Sequence, residues 1–370
     1  MLPQADQDER DLPIRLLEPF GLGLNDIPRA CHPQAVRAHE LTREWADEYG
    51  LIGDADRRRR FDRLGYSRLL AYGCTTAPLE DLALYSQWFA YYFLLDDQQD
   101  LAILTGRHSS FIALQDQLRR VMHSRGLVDG AQRETGLVAA VADLCRRTAP
   151  QVSDGWWCRY VTHAENVFAA QRLESAHRLT GSVPTLDEFL EIRRRASSVD
   201  MVFDIIEACE GYEIPEPIRY SWPCCKYADD LNDFTTWSND VLGVDHDAGN
   251  GDINNYVLVS ERTAGLSRWE ATESVSSNIR MLARRLPERA DQVHRLAREY
   301  GEEHGERVTR VLNAWHAWAM NVPVHYLRAD SRLWQMDLAA PRTPPAFTAD
   351  LLPHRPHPAA PLDIAGVTHG

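Results

Sequence analysis

Residues 88–100 read WFAYYFLLDDQQD, an unbroken apolar run that ends abruptly in three aspartates. A helix that is apolar on every side belongs in the interior of a protein. On this helix Asp96 and Asp100 are four residues apart, and Asp97 and Asp100 are three apart, so their side chains project from neighbouring positions. Like charges so close repel, more strongly where water is excluded. The stretch therefore predicts a buried helix whose end holds a compensating cation.

The chemistry of these side chains indicates which cation that is. Carboxylate oxygens without cysteine or nearby histidine suit Mg²⁺ or Mn²⁺ better than zinc. The alternative is a solvated acidic helix end that binds no metal. The apolar run in front of the aspartates favours the metal site.

Composition excludes several classes of function. The 370 residues suffice for one large domain or two medium ones, and 25% charged with 44% apolar residues is ordinary for a soluble protein. A formal charge of -14 argues against nucleic acid as a partner and against an anionic membrane. Seven cysteines without a CxxC pair indicate reduced thiols, and no apolar run approaches a membrane span, so we expect a cytoplasmic protein without membrane insertion.

Helical periodicity covers most of the chain and breaks where Pro, Gly, Ser and Thr cluster, as in TGSVP at 180–184. The predicted helices are 37–50, 55–72, 77–100, 108–124, 132–148, 153–179, 185–210, 216–242, 254–262, 266–286 and 289–327. No strand-type alternation is present. We expect a single all-α domain from 36 to 335, a helical bundle around a central apolar cavity. Residues 1–35 are predicted to be an irregular lead-in, and 336–370, with many prolines and several histidines, a disordered tail.

A second acidic region contains two overlapping patterns. DDLND at 229–233 is a second DDxxD, and NDVLGVDHD at 239–247 is followed by GDINN at 251–255. Asn239 and Asp247 are eight residues apart and so lie on one stripe of a helix. An amide and a carboxylate on one stripe can chelate a hard cation.

With these two regions the chain resembles the microbial class I terpene synthases. That family carries an aspartate-rich motif, matched by residues 96–100, and, some 140 residues later, a metal-binding triad, matched by Asn239, Gly243 and Asp247. The triad departs from the family pattern, because Gly243 replaces a serine and Asp247 a glutamate. A water would have to replace the missing hydroxyl.

The resemblance extends to three further elements. An arginine that senses the diphosphate lies 46 residues before the triad's asparagine in this family, which points to Arg193. It is followed by a small-residue helix break that helps to trigger ionisation, matched by residues 196–198; a plain helix kink is the alternative. His246 stands in place of the family's lysine. Arg332 approximates the family's C-terminal Arg-Tyr pair, although Leu333 replaces the tyrosine and Arg328 is close enough to compete.

The resemblance implies an all-α class I terpenoid synthase fold and a lyase activity on a linear prenyl diphosphate. The enzyme would ionise and cyclise farnesyl diphosphate (favoured) or geranylgeranyl diphosphate (next) to a cyclic terpene hydrocarbon or alcohol plus diphosphate. Three Mg²⁺ ions would act as Lewis acids, with Mn²⁺ as a substitute. The resemblance implies a metal site formed by Asp96, Asp97, Asp100, Asn239, Gly243 and Asp247. It implies catalytic roles for Asp96, Arg193, Asn239 and Asp247. The implied diphosphate-binding residues are Arg193, His246 and Arg332, and the implied trigger segment consists of Ala196, Ser197 and Ser198. A homodimer is also frequent in the family.

The carbocation requires a dry apolar cavity, because water would quench it. Aromatic faces can stabilise such a cation by up to about 2 kcal/mol when desolvated. Tyr92 and Phe93 lie one turn before Asp96, and Trp315 and Trp318 lie on the last long helix. Each of the four is a candidate for the cavity wall, with ordinary core packing as the alternative.

Two rival functions remain open. A chain-elongating prenyl diphosphate synthase would use the DDxxD motifs at 96–100 and 229–233, but the arginine pair usual after its first motif is missing from 101–107. It would also leave residues 239–255 unexplained. The second rival is a catalytically silent helical scaffold that uses its acids to bind a partner.

Overall fold

The structure is a computed structural model that describes residues 20–23, 26–127, 135–326 and 349–353. Helices and their connections account for these residues, and no strand occurs among them, which confirms the all-α prediction. The helices are α1 (Ala35–Glu48), α2 (Ala55–Leu64), α3 (Tyr66–Leu70), α4 (Leu79–Leu104), α5 (His108–His123), α6 (Leu137–Thr148), α7 (Asp154–Thr180), α8 (Leu186–Ala196), α9 (Val199–Cys209), α10 (Glu216–Arg219), α11 (Trp222–Asn250), α12 (Tyr256–Ala264), α13 (Arg268–Glu299) and α14 (Glu302–Tyr326).

Helix α4 is the central element. It carries the apolar run and packs against α1, α3, α5, α6, α7 and α9. Trp88, Ala90 and Leu94 are fully buried, as expected of a helix that is apolar all round. Glu80 and Asp81 lie in its first turn, where negative charge interacts favourably with the helix dipole. The aspartate motif is thereby fixed on a rigid helix.

Helix α11 carries the second acidic region and packs against α8, α9, α12, α13 and α14. Its N-cap is Ser221, whose side chain accepts a hydrogen bond from the backbone N–H of Cys224, and its C-cap is Gly251, which has a left-handed φ of 70°. Both ends follow ordinary capping chemistry. The helix continues eight residues beyond its predicted end, so the whole of 239–247 is helical.

Four predicted helices are divided in the structure. The one predicted as 289–327 is interrupted at Tyr300 and Gly301, between α13 and α14. Gly65, with a φ of 57°, separates α2 from α3, and the segment predicted as 216–242 forms the short α10 and the long α11. The segment predicted as 185–210 breaks after Ala196, because Ser198 adopts a φ of 61°. Ser197 supports this break: its hydroxyl donates to the Arg194 carbonyl at 2.8 Å and accepts from the Val199 N–H at 3.2 Å. Such local serine bonds compete with the helical backbone.

The boundary predicted between 286 and 289 is wrong, since α13 runs through Pro287. An internal proline costs a helix about 3 kcal/mol or more. Here Leu286 and Val293, one on each side of the proline, are buried in the core. Tertiary packing on both sides therefore keeps the helix continuous.

A single cluster of buried apolar side chains joins the described helices and extends from Phe20 to Leu352. Residues 349–353 pack against this body although they lie within the predicted tail, and the rest of 336–370 lies outside the described residues. Arg328, Arg332 and Leu333 lie outside the described residues. Among the described helices, none is long and apolar enough to cross a membrane.

Candidate active site

An apolar cavity opens among α4, α8, α9, α11 and α14. It contains about 780 Å³ of empty space, counting the part that is open to solvent. The apolar side chains in its wall include Phe89, Tyr92, Phe93, Val202, Trp318 and Val322. These residues come from α4, α9 and α14, so the cavity lies inside the helical bundle.

A polar cavity of about 710 Å³ adjoins it. Four residues line both cavities: Asp96, Arg193, Asn239 and Tyr326. The aspartate-rich motif and the second acidic region therefore face each other across one hollow. The arrangement places charged groups at one end of an apolar chamber.

The three aspartates of the first motif have different surroundings. Asp96 lines both cavities, and Asp100 lines the polar one, where it accepts a hydrogen bond from Arg178 at 2.6 Å. Asp97 is fully buried and lines neither cavity. Asp97 is therefore not among the residues that line the candidate metal site.

The second region contributes Asn239, His246 and Asp247 to the polar cavity. Asp247 accepts hydrogen bonds from the side-chain amide of Asn255 at 2.8 Å and from the His246 ring at 3.0 Å. Asn255, the last residue of GDINN, thus orients this carboxylate. Gly243 is buried between Asn239 and Asp247, lines neither cavity, and has no side chain to offer.

Arg193 lies between the two regions and lines both cavities. Its guanidinium donates to both carboxylate oxygens of Asp240, at 2.5 to 3.2 Å, and to Asn239 Oδ1 at 3.2 Å. Burial raises the pKa of Asp240, and the charge of Arg193 partly offsets that rise. The neighbouring arginines face elsewhere, since Arg194 pairs with Asp233 and Arg195 with Glu191. The arginine selected by its spacing is the one that the structure places at the hollow.

Three charged residues that line this cavity were not among the predicted site residues. Arg178 donates to Asp100 and lies 3.2 Å from Asp252, so it joins the first motif to the loop after α11. Burial raises the pKa of Asp252 to about 6 and that of Glu174 to about 8. Glu174 and Arg178 are four residues apart on α7, and this acid–base pair on one helix face was the available signal.

The aromatic candidates divide into two groups. Tyr92, Phe93 and Trp318 line the apolar cavity. Trp315 does not: its indole N–H donates to the Phe203 carbonyl at 3.1 Å and its ring stacks on the Phe203 ring with centroids 4.6 Å apart. Its placement in the cavity wall was therefore wrong, and Trp315 is a core residue. Residues 196–198, at the helix break, also line the apolar cavity.

The second DDxxD motif faces away from both cavities. Lys226 pairs with Asp229 at 2.9 Å, Arg285 donates to Asp230 at 2.7 Å, and Arg194 donates to Asp233 at 2.6 Å. None of these aspartates lines either hollow. A mechanism that uses 96–100 with 229–233 therefore lacks the geometry that it needs.

Comparison with known proteins identifies the family. The family model described as "Terpene synthase family 2, C-terminal metal binding" matches residues 87–285, more than half of the chain. The chain belongs to the terpene synthase family. The matched region contains both the aspartate-rich motif and the 239–247 pattern. This terpene synthase is an enzyme of class I, and its family uses divalent metal.

Individual relatives agree with this assignment. Pristinol synthase of Streptomyces pristinaespiralis is 30% identical over 274 residues, which cover 74% of this chain and 71% of the relative. (+)-T-muurolol synthase of Roseiflexus castenholzii is 32% identical over 271 residues, which cover 72% and 78%. Linalool/nerolidol synthase from Streptomyces clavuligerus, solved in complex with 2-fluorogeranyl diphosphate, superposes with a TM-score of 0.72 at 23% identity, covering 80% of this chain and 100% of that one. The last likeness concerns the fold alone.

The side chains of the polar cavity fit a divalent cation of the hard class. Asp96, Asp100 and Asp247 offer carboxylate oxygens and Asn239 an amide oxygen. Within the ranges that the structure describes, no three His, Cys, Asp or Glu side chains are close enough to hold a metal by themselves. Mg²⁺ usually keeps several waters and shares substrate phosphate oxygens, so sparse protein ligands are compatible with it.

Proposed function

We propose that this terpene synthase ionises farnesyl diphosphate in a Mg²⁺-dependent reaction and cyclises the carbocation to a terpene hydrocarbon or alcohol. The observation that carries the proposal is that Asp96, Arg193 and Asn239 line both the polar cavity and the apolar cavity. A diphosphate fits the polar side and a hydrocarbon chain the apolar side. The catalytic unit is proposed to be one domain, residues 36–335.

The charges of the polar cavity support three magnesium ions. Among the described residues, five carboxyl groups line it, against the guanidinium groups of Arg178 and Arg193. If Glu174 is neutral, as its raised pKa favours near pH 7, the excess is two negative charges. A prenyl diphosphate adds about three more, because the second ionisation of a phosphate occurs near pH 6. Two divalent cations would leave about one negative charge and three about one positive charge, so this sum is compatible with the three ions that we propose. Mn²⁺, with similar ligand preferences, should substitute.

Each part of the site has a stated role in this proposal. Asp96, Asp100, Asn239 and Asp247 would hold the cations, which would act as Lewis acids on the leaving diphosphate. Arg193 donates planar, charge-assisted hydrogen bonds to the phosphate. His246, beside Asp247, is a further donor candidate. Arg332 is proposed to bind the diphosphate, as the sequence resemblance implies, and Arg328 is the alternative residue for this role.

The apolar cavity protects and guides the carbocation. Its apolar side chains would keep water from the cation, and the rings of Tyr92, Phe93 and Trp318, which line it, would stabilise positive charge. The helix break at residues 196–198 lines the apolar cavity, which supports the proposal that its backbone helps to trigger ionisation. Gly243 offers no hydroxyl, and a water is proposed in its place.

The choice of substrate rests on the relatives. (+)-T-muurolol synthase and the (-)-beta-caryophyllene synthase of Saccharothrix espanaensis both cyclise (2E,6E)-farnesyl diphosphate according to their names. We therefore favour the C15 substrate, with geranylgeranyl diphosphate second. Seven free thiols agree with a cytoplasmic location. A homodimer stays a prediction, which light scattering of the purified protein would test.

The decisive experiment is incubation of the purified enzyme with C10, C15 and C20 prenyl diphosphates and Mg²⁺, followed by gas chromatography and mass spectrometry. A cyclic C15 product that disappears with EDTA and returns with Mg²⁺ is expected. Formation of a longer prenyl diphosphate after addition of isopentenyl diphosphate would instead support chain elongation. Release of no diphosphate from any substrate would support the silent scaffold.

A further inference from the structure

The face of α4 opposite the polar cavity is covered by the segment Ala349–Pro353. The side-chain amide of Gln98 donates to the Ala349 carbonyl at 3.0 Å, and its oxygen accepts from the backbone N–H of Leu351 at 2.8 Å. One glutamine thus makes two complementary bonds to the backbone of a segment about 250 residues away in sequence. Such a two-point contact fixes the register of the segment on the helix.

Gln98 is itself part of the aspartate-rich motif. It lies two residues after Asp96 and two before Asp100, which on a helix places it on the opposite face from both. The residue is fully buried, so its donor and acceptor require partners. The segment supplies partners for both. The aspartate-rich motif therefore lines the polar cavity on one face of α4 and contacts residues 349–353 on the opposite face.

Three further contacts anchor the segment. The backbone N–H of Ala349 donates to the Leu51 carbonyl at 3.0 Å, which ties the segment to the loop between α1 and α2. Arg107, just beyond the end of α4, donates to Asp350 at 2.6 Å. Leu352 is 2% exposed and belongs to the main apolar core. The segment is thus fixed at both ends as well as at Gln98.

We propose that Ala349–Pro353 is an intramolecular clasp that holds the last turns of α4, with Gln98 as a positioning residue for Asp96 and Asp100. These carboxylates repel each other, and Mg²⁺ requires near-ideal octahedral geometry, so small movements of α4 weaken metal binding. On the inner side, the side-chain amide of Gln99 holds the same turns by donating to the Gln171 carbonyl and the Ser175 hydroxyl, both at 3.1 Å. The clasp provides the matching constraint on the outer side. The metal part of this inference rests on the proposed function; the contacts of the clasp do not.

Two truncations and one substitution test the clasp. A chain that ends at residue 348 lacks the segment, and a chain that ends at residue 353 keeps it and is the matched control. Gln98→Met keeps a side chain of similar length but removes both hydrogen bonds. Hydrogen exchange of peptides from α4 and calorimetric titration of Mn²⁺ in the presence of inorganic diphosphate are measured for each.

The expected results distinguish a specific effect of the clasp on α4 from a general loss of stability. In the chain that ends at 348 and in Gln98→Met, exchange in residues 96–104 should rise by about tenfold or more, and Mn²⁺ affinity should fall by about fivefold or more. The chain that ends at 353 should match the full-length protein in both measurements. If the 348 chain does not fold, Gln98→Met against the full-length protein decides.

Two outcomes would overturn the proposal. Equal exchange in the two truncated chains, or unchanged exchange in Gln98→Met, would show that the segment does not hold α4. Faster exchange with unchanged Mn²⁺ affinity would show that the clasp does not position the carboxylates. Failure of the proposed function gives a different result, in which no substrate is turned over while the exchange difference persists.

Discussion

Replacing Arg193 by alanine should damage both turnover and stability, and the structure allows the two effects to be separated. Arg193 forms a bidentate pair with Asp240, which is completely buried. Its guanidinium also lines both cavities, where the diphosphate is proposed to bind. Arg195 is the matched control, because it lies two residues away and pairs only with Glu191 at the surface.

The magnitudes follow from these surroundings. Removing one partner of a buried ion pair typically costs about 3–5 kcal/mol in unfolding free energy. Asp240 keeps a hydrogen bond from the Tyr256 N–H at 3.0 Å, so we expect about 3 kcal/mol for Arg193→Ala. Loss of one pre-organised donor to the developing charge should lower kcat by about 10²–10³. Arg195→Ala breaks an exposed i, i+4 pair and should cost about 0.5 kcal/mol or less, with little effect on kcat.

The double variant Arg193→Ala/Asp240→Asn distinguishes the two roles. Asparagine removes the unpaired buried charge and should restore much of the lost stability, because the amide oxygen can still accept from Tyr256. Turnover should stay low, because the phosphate contact is still missing. Denaturant unfolding and steady-state kinetics measure the two quantities. Recovery of kcat together with stability, or equal losses in the Arg193 and Arg195 single variants, would refute the role of Arg193 at the diphosphate.

Three further predictions concern other parts of the site. Asp96→Ala and Asn239→Ala should each abolish turnover with an unchanged helical circular dichroism spectrum; full activity in either would mean that the metals lie elsewhere. Trp318→Leu should change the product distribution seen by gas chromatography, whereas Trp315→Leu should mainly lower the melting temperature, since only Trp318 lines the cavity; the reverse pattern would contradict this placement. Burial raises the pKa of Glu174 from 4.5 to about 8, so this group makes the folded enzyme progressively less stable as pH rises through that window. Glu174→Gln should flatten the fall in metal-free melting temperature between pH 5 and 8, and parallel pH profiles would exclude this explanation.

Local helix geometry made much of the site predictable. The spacing of Asp96 and Asp100, and of Asn239 and Asp247, places each pair on one stripe whatever the tertiary structure. Which stripe of a helix faces a cavity depends on tertiary packing. The sequence therefore could not show that Asp97, unlike Asp96 and Asp100, does not line the cavities. The pairing of Arg178 with Asp252 joins residues 74 apart and has no local signature.

The errors in the fold have physical reasons of the same kind. The break at Ser198 contains neither glycine nor proline and depends on hydrogen bonds made by Ser197, whereas Pro287, the expected breaker, is overridden by packing on both sides. Composition predicted disorder for the C-terminal tail. A short segment can still be ordered when a buried group elsewhere, here Gln98, provides complementary hydrogen bonds.

Charge compensation distinguishes the two DDxxD motifs better than their sequence does. Each aspartate in 229–233 has a basic partner from its own or a neighbouring helix, so that motif needs no further cation. Among the described residues that line the polar cavity, acids outnumber guanidinium groups, and burial raises the pKa of two of these acids. Folding stability alone disfavours such an excess, because uncompensated buried charge is costly. A ligand that carries positive charge relieves that cost, so the excess of acids over basic groups, rather than the DDxxD pattern, marks where divalent ions should bind.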